Sequence, residues 1–330
     1  MVRVERGGVE EAIHVGHLAT VDATGRIQAS LGNPDRLTYF RSCAKPFQAL
    51  AALGTGIVSR FQLQSEHLAI MAASHNSEPR HVEVVRDLLD HIGIPESALQ
   101  CGAHWPYYEP AAAVARRALE QPLPIFNNCS GKHAGMLAAA RALGAPLETY
   151  LGRNHPIQRR IAEVISEFTA QPPAEIHYGI DGCSAPNPAV PLAAIARAFA
   201  ALVSSSDATA RTVVDAMTTH AFLIGGTDRF DTRLMEVTNG RLLAKGGAAG
   251  LHCTADRRSG LGLAIKLDSG DGTWAAVAVM AALERLGWLE DAEREALSQF
   301  ARPSLRNHTG VVVGSVRPVL RARRPTRAAL

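Results

Sequence analysis

The chain has 330 residues, 47% of them hydrophobic, and its 34 basic and 31 acidic side chains leave a net charge of +3. It is long and apolar enough for a sizeable core in one large domain or two lobes, and too evenly charged for a nucleic-acid surface: the one dense basic cluster, Arg321 to Arg324 with Arg327 beyond, has no interleaved aromatics to stack on bases and reads as a solvated terminal tail. The opening Met1-Val2-Arg3-Val4-Glu5 lacks an apolar leader core and no run reaches the ~18 apolar residues of a membrane span, so a cytoplasmic protein without a membrane partner is expected.

In chain order, His17 to Asp22 and Arg26 to Ser30 flank Ala23-Thr24-Gly25 and predict a hairpin. Pro46 to Leu53 predicts a short apolar helix ending at Gly54, with Ser42 and Lys45 around its start. The spacing of Val82, Val85, Leu88, Leu89 and Ile92, and of Ile157, Ile161, Val164, Ile165 and Phe168, predicts two core-facing amphipathic helices. Lys132 to Leu143, Pro191 to Val203 and Ala208 to Thr218 complete a helical middle. Gly262 to Leu267 reads as a strand, Trp274 to Leu286 as a buried helix and Val311 to Val313 as a late strand. Strands at both ends with helices between predict an α+β fold: a mixed sheet whose terminal parts pair, carrying a helical insertion, as one unit (1–330) or two lobes dividing near residue 190.

Five cysteines, Cys43, Cys101, Cys129, Cys183 and Cys253, are an odd number for a disulfide framework, which leaves core filling, metal ligation or thiol catalysis. Only Lys45, Lys132, Lys245 and Lys266 are lysine among 34 basic residues. A chain that uses arginine almost everywhere keeps lysine where a proton must be lost, since guanidinium stays charged and a buried amine need not; codon bias is the other reading.

Ser42 and Lys45 are three residues apart at a helix start, so they can share a face near the positive end of the dipole, as a nucleophile and its base would. The same spacing occurs in Ser-x-x-Lys acyltransferases and β-lactamases. An N-cap serine with an incidental lysine is the structural alternative, but a capping box calls for Glu or Gln at the third position and a first-turn cation is mildly unfavourable. Asn127-Asn128-Cys129-Ser130-Gly131-Lys132-His133 opens another helix, where backbone amides can hold a carboxylate and Cys129 can be a thiolate, a metal ligand or a buried filler. Asp181-Gly182-Cys183 is a loop after an apolar segment; with neither Cys-x-x-Cys nor His-x-x-x-His present, spacing alone does not argue for zinc. Lys245-Gly246-Gly247 lets backbone approach a ligand without a phosphate-binding pattern, and Ser74-His75-Asn76 and Gly226 to Asp231 are polar segments able to face a cleft.

Taken together, Arg41-Ser42-Cys43-Ala44-Lys45-Pro46-Phe47-Gln48, Ser74-His75, Cys129-Ser130-Gly131-Lys132-His133, Asp181-Gly182-Cys183, Arg229-Phe230-Asp231-Thr232 and Lys245-Gly246-Gly247-Ala248 resemble the Rhizobium etli-type L-asparaginase family from about Glu5 to Val319. The resemblance implies a serine β-lactamase-like fold, a homodimer, and hydrolysis of L-asparagine to L-aspartate and ammonia. It implies two facing Ser-Lys pairs, Ser42 with Lys45 and Ser74 with Lys245, leaving open which serine attacks. It also implies zinc on Cys129, Lys132 and Cys183, with Arg41, Ser130, His133 and Asp181 binding substrate. Asn76-Ser77 and Ala249 depart from the family's wording beside Ser74-His75 and Lys245. A β-lactamase or peptidase-like acyl hydrolase, or a zinc-binding ligand sensor without catalysis, are the competing readings.

Overall fold

A computed structural model describes residues 1–320; the basic tail from Arg321 onward lies outside the described residues. Twelve strands form three sheets, and every strand pair among the described residues is antiparallel. Strands β1 (Val2–Arg6), β2 (Val9–His14), β3 (Gly16–Val21), β4 (Ile27–Leu31) and β5 (Leu37–Tyr39) come first. Then follow β6 (His177–Ile180), β7 (Pro186–Pro191), β8 (Leu242–Gly246), β9 (Leu251–Asp256), β10 (Leu261–Leu267), β11 (Ser304–Arg306) and β12 (Val312–Pro318).

The expected pairing of the two ends occurs twice. In one sheet, of order β11-β12-β1-β2, Val2 sits opposite Pro318; in a five-stranded sheet, of order β4-β3-β10-β9-β8, Val21 sits opposite Gly262. The third sheet, β5-β7-β6, was not anticipated, because β5 and β6 are only three and four residues long and the central β7 carries three prolines. Separate sheets thus replace the single mixed sheet expected, within the α+β class. The predicted β3–β4 hairpin is present; Asp22 Oδ1 accepts the Thr24 and Arg26 backbone N–H groups and Gly25 adopts φ +95°.

Ten helices matter to the site: α1 (Lys45–Leu53), α2 (Ser65–Met71), α3 (Pro79–His91), α4 (Glu109–Ala118), α5 (Ser130–Ala142), α6 (Pro156–Thr169), α7 (Leu192–Ser204), α8 (Ala208–Thr219), α9 (Phe230–Val237) and α10 (Ala275–Leu286). Each helix read from periodicity is found within two or three residues of its expected ends. Helix α1 is buried at all nine positions, packed by α5, α6 and α8. Phe47 on it meets Phe40, Phe168 and Phe199 with ring centroids 5.5 to 5.9 Å apart, edge-on or tilted. The buried apolar residues of strands and helices form one continuous cluster around it.

Helix α7 lies across the five-stranded sheet so closely that a Cβ on Gly262 would stand 2.1 Å from the Ala196 carbonyl oxygen and 2.7 Å from the Ala200 nitrogen. Backbone on both sides leaves nothing flexible to move. Gly262→Ala is therefore expected to cost at least about 1–3 kcal/mol, read as a lowered midpoint in thermal or urea unfolding; an unchanged midpoint would mean that the helix can lift from the sheet at little cost.

Candidate active site

Three segments far apart in sequence meet at the N-terminus of α1. The first is a 3-10 turn, Arg41–Ala44, entered through Arg41 in the left-handed region at φ +50°. That backbone costs about 1 to 2 kcal/mol in a non-glycine residue. The turn places Ser42 half-buried before the helix proper, not on its face, and the Cys43 thiol donates to the Lys245 carbonyl on β8 at 3.1 Å. The second is the stretch after α2, where Ser74 N–H donates to the Ile224 carbonyl and Asn76 N–H to that of Gly225, both at 2.9 Å. The third is the turn into α5, where a Cβ on Gly131 would lie 2.2 Å from the Ile70 carbonyl oxygen, so only glycine lets this turn reach α2.

Lys45 joins the three. Its Nζ donates to Ser74 Oγ at 2.9 Å, to the Ala73 carbonyl at 2.5 Å and to the Asn128 carbonyl at 3.0 Å. The lysine is fully buried, and burial above all, with Lys245 and Lys132 adding like charge against an opposing Cys129, lowers its pKa from 10.5 to about 8. A neutral amine has two N–H donors and one lone pair. The two carbonyls take the donors, which leaves the lone pair for the Ser74 hydroxyl.

Lys245, expected opposite Ser74, instead donates to the Gly246 carbonyl at 2.7 Å and lies 3.7 Å from Asp231 Oδ2. Burial lowers its pKa while Asp231 opposes the shift. Asp231 also accepts from His252 Nε2 at 2.9 Å and from the Gly246 N–H at 2.6 Å. Burial would raise this carboxyl, but His252, Lys245 and Arg229 outweigh it and hold it far below the usual range.

Cys129, Lys132 and Cys183 come together, all buried, with Lys132 Nζ 2.9 Å from Cys183 Sγ. The hydrogen bond from Cys183, against the opposing effect of burial and with Lys45 and Lys132 adding to it, draws Cys129 well below the ordinary thiol pKa. Cys183 is raised by the same hydrogen bond and by burial. Burial opposes the charge on Lys132, yet the two sulfurs prevail and its pKa is raised. Asp181 pairs with Arg41 at 3.2 Å. Ser130 is buried against His75 Nε2 at 3.0 Å, and His133 bonds the Tyr150 hydroxyl through Nδ1 at 2.6 Å while its buried Nε2 has no hydrogen-bond partner among the described residues.

Ser42 and Ser74 open into a cavity of about 380 Å³, also lined by Asn128, Arg229, Asp231 and Gly247. That is the size range of a small-molecule site. Ser130, His133, Arg41 and Asp181 are not on its wall. Arg229 and Asp231 are on it; their segment reads in sequence as one able to face a cleft and is part of the family resemblance, which assigns neither residue a role. Elsewhere, His67, Asp87 and His91 form a group able to hold a metal ion, one the sequence gave no reason to expect. His67 there is committed to a helix cap: Nδ1 accepts the Gln64 N–H, so Nε2 is the donor that reaches Asp87 Oδ2 at 2.7 Å.

A model of the L-asparaginase II family matches residues 2–318, and the chain belongs to that family. Comparison with curated proteins finds no match. Solved structures similar to this chain include a β-lactamase from Mycobacterium bovis, 16% identical over 87% of this chain and 95% of that one at a TM-score of 0.43. They also include a simvastatin synthase from Aspergillus terreus, 11% identical over 87% and 91% at 0.32.

Because the folded Lys45 releases its proton near pH 8 and the unfolded one near 10.5, unfolding takes up a proton between those values and stability grows as pH rises through them. Below pH 8 the full penalty, on the order of 3 kcal/mol, is present. Wild type compared with Lys45→Met by urea unfolding should gain relative stability from pH 8 to 10; a difference flat with pH would show a normally titrating lysine.

Proposed function

We propose that this member of the L-asparaginase II family hydrolyses L-asparagine to L-aspartate and ammonia through the Ser74–Lys45 pair, in a cytoplasmic homodimer. The observation that carries this reading is the hydrogen bond from Lys45 Nζ to Ser74 Oγ at the floor of a small cavity. With a pKa near 8, roughly a tenth of the lysine is neutral at pH 7, enough for a general base. Neutral Lys45 takes the Ser74 proton as Oγ attacks the carboxamide carbon. The proton passes to the amide nitrogen, the C–N bond breaks and ammonia leaves an aspartyl ester on the serine. Water then attacks the ester, giving its proton to Lys45, and aspartate leaves as the serine is reprotonated. Ser42 supports a second assignment, because it is the less buried of the two hydroxyls on the same wall.

Cys129, Lys132 and Cys183 are the residues that would hold zinc. Two buried thiols, one already drawn toward thiolate, suit that ion, whereas the Lys132 amine in contact with one of them would first have to give up a proton that the two sulfurs hold on it. When bound, zinc supplies a fixed positive charge that can orient an anionic substrate. Both thiols and Lys132 must lose their protons to ligate, so affinity should fall as pH is lowered.

Ser74→Ala and Lys45→Ala should each lower ammonia release by at least about 10³-fold while folding is retained. The wild-type rate should climb with pH to a plateau above about 8, the base being active only when neutral. Acid quenching followed by mass spectrometry should find the aspartyl adduct on Ser74; an adduct on Ser42 reverses the assignment, and turnover of a β-lactam in place of asparagine removes the asparaginase reading. Metal analysis should give one zinc per chain in wild type and little in Cys129→Ala or Cys183→Ala; equal content in all three excludes these ligands.

A further inference from the structure

The cavity wall carries one half-buried cation, on which the Asp231 carboxylate of the same wall acts only through space. Arg229 lines the pocket beside Ser42 and Ser74, forms no ion pair among the described residues, and makes a single side-chain hydrogen bond there, from Nη1 to Asn76 Oδ1 at 2.8 Å. A guanidinium offers five N–H donors in a planar fork, so most remain for a ligand. The other arginine of the region, Arg41, pairs with Asp181 through one Nη and lies off the wall.

Arg229 is also held still. Asn76 Nδ2 donates to the Thr227 carbonyl at 3.2 Å, which turns the opposite end of the amide, Oδ1, toward Arg229. Its own carbonyl accepts the Tyr107 and Tyr108 N–H groups. Glu78 grips the same loop, accepting from the Thr227 N–H and hydroxyl at 2.7 Å each. Gly226, at φ +109° and with a Cβ position 2.2 Å from Glu78 Oε1, leaves no room there for a side chain. Such clamping makes sense for a group that must meet a planar anion, because the ordering is done before binding. Asn76, one of the departures from the family's wording, lies two residues from Ser74, so a single segment carries a reacting hydroxyl and aims the cation.

We propose that Arg229, positioned by Asn76, binds the free carboxylate of the substrate, so that the cavity takes amides of amino acids that keep a carboxylate and discriminates against those in which it is masked. This rests on the amidohydrolase reading above. Arg229 is a specificity-determining residue, and Asn76 a positioning residue that acts through it.

The test compares ammonia release from L-asparagine and from its α-methyl ester. Wild type should favour asparagine by about 10- to 100-fold in kcat/KM, the worth of a charge-assisted hydrogen-bonded pair. Arg229→Gln should erase that preference by raising the KM for asparagine while the ester rate stays within a few-fold. Arg229→Lys should restore part of it, and Asn76→Ala should show the same substrate-dependent loss in smaller measure. A wild type that treats both substrates alike, or an Arg229→Gln that slows both equally, overturns the proposal while leaving the hydrolase reading intact. Calorimetric binding of L-aspartate separates the two readings: an enzyme that releases no ammonia yet binds aspartate through Arg229 fails only the hydrolase reading, and aspartate binding that Arg229→Gln leaves unchanged overturns this one.

Discussion

Most of the site's architecture follows from one constraint, an amine buried at the N-terminus of a helix that is itself buried on every side. Lys45 has no water to solvate its charge, faces the positive end of the α1 dipole and lies near two other lysines. The fold accommodates it with three acceptors drawn from two other segments, the Ala73 carbonyl, the Ser74 hydroxyl and the Asn128 carbonyl. Those contacts offset part of the desolvation and leave a lysine able to change protonation near neutral pH. They also bind the post-α2 segment and the turn into α5 to α1, so the base and the site's geometry are one feature.

The three lysines of the region show how environment divides labour among identical side chains. Lys45 is pushed toward neutrality by burial above all, with Lys245 and Lys132 adding to it against the opposing pull of Cys129. Lys132, equally buried, touches a sulfur and keeps its proton. Lys245 sits between these cases, lowered by burial and restrained by Asp231. A buried amine is set by what faces it, and here each amine faces a different chemistry.

Close backbone approach is the second means by which the site is built. Glycine at 131 brings the cysteine-bearing turn against α2, and glycine at 226 brings the Arg229 loop against Glu78. Arg41 enters the serine turn through a left-handed backbone. Rigidity near the reacting hydroxyls thus comes from contacts that tolerate no added atom, and the aromatic packing of Phe47 beneath them anchors the helix that carries the base.

Helix positions and the pairing of the chain ends were legible in the sequence, whereas the gathering of Ser42, Lys45, Ser74, Cys129, Lys132 and Cys183 into neighbouring clusters was expected only from the resemblance of their motifs to one family. Local periodicity and turn chemistry act over a few residues, and the scarcity of lysine singled out Lys45, Lys132 and Lys245 but equally Lys266, which bonds the Ala249 and Leu267 carbonyls alone among the described residues. Tertiary structure alone decided the partners. Lys45 takes Ser74 because the Arg41–Ala44 turn places Ser42 ahead of α1 and the stretch after α2 brings its Ser74 hydroxyl to the amine, while Lys245 is turned to Asp231 on the neighbouring helix start. Arg229 became a wall residue only when Asn76, 153 positions away, fixed its direction. Spacing along the chain reports which residues can share a helix face, but hydrogen-bond partners drawn from segments a hundred residues apart are set by how sheets and helices pack, and no local pattern encodes that.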